Sequence, residues 1–507
     1  MTGGLLQLAK KGTQDTHLTG NPQITFFKTI HKRYSNFSME SIQQHFNGTI
    51  DFGRKLNCTI AKNGDLIHKI YLCINLPKID CETSANNKFR WLNWIGHNII
   101  KEVYIEIGGQ IIDQQYGEWI HIWNEVSQPL SKQAGYSNMI GNVPRLTQVI
   151  QGNSLNNGSN IIPAHTLYIP LQFWFCKNPG LALPLIALQY NDVKIGLEFK
   201  DANSCCWSTG KYKLVPPSLV NASLYVDYIY LDTEERRKFA SQNHEYLIEQ
   251  LQYNGQEVLS TQSNKIKLNF NHPLKEILWV VQPISNIDNN YTENIGGPQF
   301  FNFTDCIDTT YFSGTPNDPD GGGMVGGQSN NISWGLPITD YSSNITTYSN
   351  DIISAPQTGQ NNNTPLTNTS FHSITTNPIH SQTIGSNLSN LPLFDKGKSP
   401  IINAKLQLNG HDRFSVRDGK YFNIVQPYQH HTTIPCTGIN LYSFCLYPEN
   451  HQPSGTCNFS TIDSANLIFN ITEESISNQR RCNIRIYATN YNLLNISQGI
   501  GKLVYSK

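Results

Sequence analysis

The sequence predicts an all-β protein of two consecutive sandwiches, and three observations carry that expectation. Apolar and polar residues alternate with period two in both halves of the chain, the signature of half-buried antiparallel strands. Asn, Thr and Ser are abundant and Met is reduced to 4 residues beside 24 Tyr and 22 Phe, a composition that disfavours long helices and suits strands joined by polar turns. The 507 residues exceed what one sandwich uses, and strands lie at similar density on either side of a short helical segment at mid-chain.

Taken along the chain, the N-terminal segment is basic. Lys10, Lys11, Lys28, Lys32 and Arg33 lie near Phe26, Phe27, Tyr34 and Phe37. These cations, with His31, read first as protein-interface contacts; an anionic surface or plain solvation are the other readings. The charges follow a very short apolar stretch, the reverse of a secretory signal, so the chain is expected to be made and used on the cytosolic side. Val103, Ile105 and Ile107 alternate with Glu102, Tyr104 and Glu106 as a first clear strand. Trp119, Ile120, Trp123 and Val126 then fall at helical spacing within residues 118–127. Val193, Ile195, Leu197 and Phe199 against Lys194, Gly196, Glu198 and Lys200 predict another half-buried strand.

The second helical segment, 233–240, has Asp232 as its cap and marks a boundary at 232–244. Beyond it, Ile266, Leu268 and Phe270 alternate with Lys265, Lys267 and Asn269. Near the end, Ile484, Ile486 and Ala488 alternate with Asn483, Arg485 and Tyr487, whose polar set is expected to face water.

One long anomaly interrupts the second half. From Glu276 to Asp395 there is no Lys or Arg but there are ten acids, so the rest of the chain, with all 37 bases against 27 acids, is net +10. Residues 286–397 are rich in Asn, Ser, Thr, Gly and Pro and read as long surface loops on an outward face. Sequons at Asn302, Asn331, Asn344, Asn368 and Asn387 mark candidate exposed glycosylation or attachment loops. Overall Lys plus Arg equals Asp plus Glu at 37 each, which leaves no global field for coating nucleic acid; direct nucleic-acid binding is not expected. No apolar run reaches the roughly 18 residues of a membrane-spanning helix. The 11 cysteines, odd in number and without C-x-x-C spacing, fit free thiols in a reducing compartment; Cys205 and Cys206 read as a strand-end pair.

Chemistry finds little footing. Neither a G-x-S-x-G elbow nor an H-E-x-x-H pair is present. Gly321 to Gly326 satisfies G-x-G-x-x-G, but Pro-rich and Asn-rich flanks replace the strand and helix that a dinucleotide loop requires. Asp318 and Asp320 lack the further ligands of a calcium loop, and the adjacent His430 and His431 point to opposite sides of any strand, which favours a turn or an interface over a shared metal. No catalytic residue, metal or cofactor is expected, and the chain is not expected to be an enzyme.

Several stretches carry a family resemblance. They are Gly3-Gly4-Leu5 with 14–28 (QDTHLTGNPQITFFK), 171–176 (LQFWFC) with 179–190 (PGLALPLIALQY), 228–236 (YIYLDTEER) with 244–248 (HEYLI), and 447–449 (YPE) with 452–460 (QPSGTCNFS). In these words the chain resembles the major capsid proteins of the nucleocytoplasmic large DNA viruses, the group including iridoviruses, phycodnaviruses and mimiviruses.

That resemblance implies a double jelly roll with long loop insertions in the second roll. Residues 26–231 would form the first roll, 232–244 the linker and 245–507 the second, with 1–25 as a basic segment at the inner base. It further implies homotrimeric, pseudo-hexagonal capsomers that tile an icosahedral shell in the virion, assembled in host cytoplasm. Expected partners are other copies and neighbouring capsomers, minor capsid and penton proteins, and an internal membrane under the N-terminal face. A minor capsid paralogue or a glycan-binding attachment protein is the alternative; Tyr311, Phe312, Trp334 and Tyr341 would be the aromatic platforms of a glycan site.

Overall fold

The computed structural model describes residues 2–82, 84, 86–152, 160–293, 296–306, 397–476 and 481–505. Eight long strands make the first half: β1 (Phe37–His45), β2 (Lys55–Thr59), β3 (Leu66–Leu76), β4 (Ile100–Ile107), β5 (Gln110–Tyr116), β6 (His165–Pro170), β7 (Val193–Phe199) and β8 (Asn221–Leu231). They pair in the orders β1-β8-β3-β6 and β2-β7-β4-β5, all antiparallel, with shorter pairs at the margins. Strands 1, 8, 3, 6 facing 2, 7, 4, 5 are the two sheets of a jelly roll.

The second half repeats the scheme. Strands β9 (His244–Leu259), β10 (Ser263–Lys267), β11 (Pro273–Pro283), β12 (Ile401–Leu408), β13 (His411–Asp412), β14 (Ile439–Ser443), β15 (Ala465–Ile471) and β16 (Cys482–Ser497) pair as β9-β16-β11-β14 and β10-β15-β12-β13. The fold is a double jelly roll.

Each roll has its own core because each strand turns one apolar row inward. Ile70, Leu72 and Ile74 of β3 meet Val103, Ile105, Ile195 and Leu197 in the first. Ile277, Trp279 and Val281 of β11 meet Leu406, Leu467 and Phe469 in the second. The opposite row of β4 and β7 is wet, as the alternation predicts. It carries exposed ion pairs, Lys55–Glu102 at 3.3 Å and Lys194–Glu106 at 3.7 Å, of the sort worth at most about 1 kcal/mol each.

Four helices matter for function: α1 (Gly3–Ala9), α2 (Gly117–Ser127), α3 (Leu130–Met139) and α4 (Thr233–Ser241). Asp232 caps α4 by accepting from the Glu235 N–H at 2.9 Å, and Arg236 pairs with Asp65 at 3.0 Å, which ties the connector to the first roll. Helix α3 has no counterpart in the sequence reading; its apolar residues are too sparse to show a stripe.

The first strand starts at Phe37, and residues 26–36 precede it. Two expectations are corrected. Asn483, Arg485 and Tyr487 do not face water: β16 is buried on both faces over most of its length because the first roll covers its outer side. The opening of the 286–397 insertion is not a surface loop. Asn286, Thr292, Gln299 and Phe303 are buried, and Gln282 donates to the Gln299, Phe300 and Asn302 carbonyls at 3.0–3.1 Å. Residues 307–396, with Asn331, Asn344, Asn368, Asn387, the glycine run and the four candidate platform aromatics, lie outside the described residues.

Candidate assembly interface

Helix α2 joins the rolls. Gly117 opens it where a Cβ would stand 2.1 Å from the His97 carbonyl oxygen, so only glycine lets the chain turn so closely against residues 97–100. The helical spacing seen in the sequence then lays Trp119, Ile122, Trp123 and Val126 on the outer face of the β9-β16-β11-β14 sheet, against Leu251, Leu278, Leu441 and Tyr487. Tyr487 stacks on Tyr253 at 4.9 Å and meets Trp119 at 5.7 Å, and it is 2% exposed. Burying four such side chains contributes on the order of 10 kcal/mol before entropy is subtracted.

Charged groups ring this apolar contact, and each is satisfied. Arg485 donates to Glu118 of α2 at 2.7 Å and to Gln282 at 2.7 Å, and the Tyr487 hydroxyl donates to Glu118 at 3.0 Å. Glu249 takes Lys177 of the first roll at 2.8 Å and the fully buried Lys275 at 2.5 Å. Burial alone would raise the Glu249 carboxyl, but the two ammonium groups hold it down at about 2. Backbone bonds add to the junction: Thr433 N–H donates to the Val126 carbonyl at 3.0 Å, and Leu251 N–H donates to Asp113 at 3.0 Å.

His431 forms the third cluster. Its Nε2 lies 2.8 Å from Glu276 and its Nδ1 2.9 Å from Glu449, with the ring wholly buried. Two carboxylate acceptors require both ring nitrogens to donate, so the group is an imidazolium. Desolvation pulls its pKa down, yet the Glu276 and Glu449 carboxylates outweigh that and hold it up at about 9. Glu276, counted with the acidic stretch in the sequence, is thus an interior anchor and not part of an acidic surface. These carboxylates and cations are consumed by one another at a seam between sheets. Among the described residues no group of three His, Cys, Asp or Glu could hold a metal ion.

Comparison with known proteins identifies the chain. The family described as "Major capsid protein N-terminus" matches residues 25–232, and that described as "Large eukaryotic DNA virus major capsid protein" matches 235–502. The major capsid protein of Phaeocystis pouchetii virus is 45% identical over 544 residues, with both chains covered completely. The chain belongs to the major capsid proteins of large eukaryotic DNA viruses. The major capsid protein of Paramecium bursaria Chlorella virus 1 is 35% identical with both chains fully covered. A solved structure of PBCV-1 VP54 aligns at TM-score 0.64 and 30% identity, over 95% of this chain and 100% of that one. The Faustovirus major capsid protein shares the fold at TM-score 0.64 and 12% identity.

On this capsid protein the N-terminal cations stand clear of the rolls. Lys10, Lys11, Lys28, Lys32 and Arg33 are exposed, as are Leu5, Leu6 and Leu8 of α1, and Phe26 and Phe27 are each 96% exposed. The predicted basic and aromatic residues therefore share one arm, which the monomer leaves uncovered. Asn302 is a different matter. It is half-buried, its amide donates to Gln299 and Cys306 at 2.8 Å each, and its oxygen accepts from Thr304, so a glycan there would have to break those bonds. Sequence reasoning missed the Glu118–Arg485, Glu249–Lys275 and Glu276–His431–Glu449 clusters. Their partners lie 26 to 367 residues apart in sequence, except Glu449, which follows His431 by 18.

Proposed function

We propose that this capsid protein forms homotrimers of pseudo-hexagonal outline that tile the icosahedral shell of a virion, with no enzymatic role. The observation that carries the reading is the pair of same-topology rolls locked by α2 into one rigid block, which three copies would arrange as six similar wedges. A capsomer of this type needs a permanent interface of more than roughly 2,000 Å², apolar at its centre.

The arm of residues 2–36, with net positive charge and exposed Leu and Phe side chains, fits the inner base of the shell. There it would contact minor capsid and penton proteins, or an internal membrane, during assembly in host cytoplasm. A minor capsid paralogue is the second reading. It is favoured by the match to two different capsid proteins of one mimivirus, at 35% and 33% identity.

Light scattering on the purified chain tests the trimer, with negative-stain images of the same peak. The expected mass is three times 57.2 kDa with hexagonal outlines. A stable monomer at all concentrations would overturn the trimer.

A further inference from the structure

Helix α3 is tied to the first roll by histidines. Of its ten residues only Gln133, Tyr136 and Ser137 are buried, so it has one aromatic anchor and no apolar stripe. Its ties are polar. The Tyr136 hydroxyl lies 2.6 Å from His97 Nε2, and the Asn138 carbonyl, in the last turn, accepts from His165 Nε2 at 3.3 Å. A helix with so few buried apolar contacts sits at the low end of local stability, where such ties decide whether it stays closed.

Both rings are neutral by geometry. Arg145 Nη2 lies 2.8 Å from His165 Nδ1, and a guanidinium only donates, so Nδ1 holds a lone pair and Nε2 the proton. Charging this ring would turn a second N–H against a cation. Burial, helped by Arg145, outweighs the Asn138 carbonyl and holds His165 below the ordinary imidazole range. On β3 the residue opposite His165 is the apolar Leu76.

His97 is wholly buried, and among the described residues its Nδ1 has no hydrogen-bond partner. Trp94 stacks on it at 5.8 Å, and His121 of α2 and Phe301 stand 5.6 and 6.4 Å away. The charged groups on the surrounding elements offer it no acceptor. Glu118 of α2 pairs with Arg485, Lys200 donates to the Asn98 amide oxygen at 3.0 Å, and Lys132 of α3 is exposed; Glu125 of α2 and Arg90 line a cavity with His121. An imidazolium at His97 would bury an unmatched N–H, and burial drops its pKa to about 3. His431 is the opposite case, because two carboxylates face it.

We infer that α3 is an acid-released latch: protonation of His97 and His165 breaks its two ties and frees the helix from the first roll, while the seam held by Glu118–Arg485 and His431 stays closed. Opening uncovers His97, which stands between α3 and α2. The sign follows from the folded value being the lower one. The latch is at full strength above about pH 6.5, where a free imidazole is neutral, and weakens as pH falls toward 3. At pH 5 the open form takes up a proton on His97 that the closed form does not. Opening is therefore favoured about 30-fold more than at pH 7.5, and His165 adds to this.

Hydrogen exchange of the full chain, read by mass spectrometry at pH 7.5 and pH 5 with intrinsic exchange rates divided out, tests the latch. Peptides from residues 130–139 should lose about 30-fold in protection at pH 5, or all they have, while peptides from β11 and β16 keep theirs. The loss should vanish in His97→Gln/His165→Gln and persist in His431→Gln. Should the double variant fail to fold, His165→Gln alone, at a half-buried ring, should shrink the loss. Equal protection of 130–139 at the two pH values overturns the latch, as does a loss spread over both rolls or one undiminished in the His165 variant.

Discussion

Raising the pH should loosen the second roll through one residue. His431 is held at about 9 in the folded chain against 6.5 for a free imidazole, a difference worth about 3 kcal/mol. The folded pKa is the higher one, so this stability is fully present below about pH 6.5 and is lost as pH rises through about 9. The groups facing His431 are Glu276 of β11, Glu449 with its Thr432 contacts, and the Trp123 ring of α2 at 6.2 Å. On the acid side Glu449 acts in the opposite sense. Burial raises its carboxyl, but hydrogen bonds from His431 and Thr432 bring it below the usual range, so its contribution is lost as pH falls. The assay is thermal melting of the parent and of His431→Gln from pH 6 to 10.5. Subtracting the variant removes the titration of lysines and tyrosines elsewhere. The parent's advantage should shrink by about 3 kcal/mol between pH 7 and 10, on the order of 10 °C in melting temperature for a domain of this size. A difference that stays level or grows with pH would refute the imidazolium assignment.

The remaining predictions probe the junction and the arm. Glu118→Ala leaves Arg485 buried without its carboxylate and should cost about 3 to 5 kcal/mol in calorimetry, much of it recovered by adding Arg485→Met; equal losses in the single and double variants would contradict that coupling. Gly117→Ala pushes a Cβ into the His97 and Ile100 carbonyls, 2.1 and 2.4 Å away, and should destabilise by at least about 2 kcal/mol, measured as a lower melting temperature. Deleting residues 2–36 should leave the chain trimeric, with a native mass three times that of the shortened chain, while abolishing shell assembly in co-expression, and failure to trimerise would refute that division of labour.

Much of the fold was legible in the sequence because its signals are local. Period-two rows specify strands wherever one face is buried, and the cap at Asp232 and the stripe from Trp119 to Val126 each lie within a few residues of the helix they define. The clustering of charge with aromatics near the N-terminus was legible for the same reason, whereas the exposure of residues 26–36 as one stretch with the preceding segment was not.

What only the tertiary structure decided is which of those rows meets another body. Asn483, Arg485 and Tyr487 form a polar row by pattern, but they are interior because α2, more than 350 residues earlier, lies across them. Whether a carboxylate is a surface charge or a buried anchor depends on the group opposite it, and a histidine becomes a cation only where folding sets two carboxylates about 3 Å from its ring. Alternation states that a strand has two faces. Contact between distant segments determines how many of them are dry.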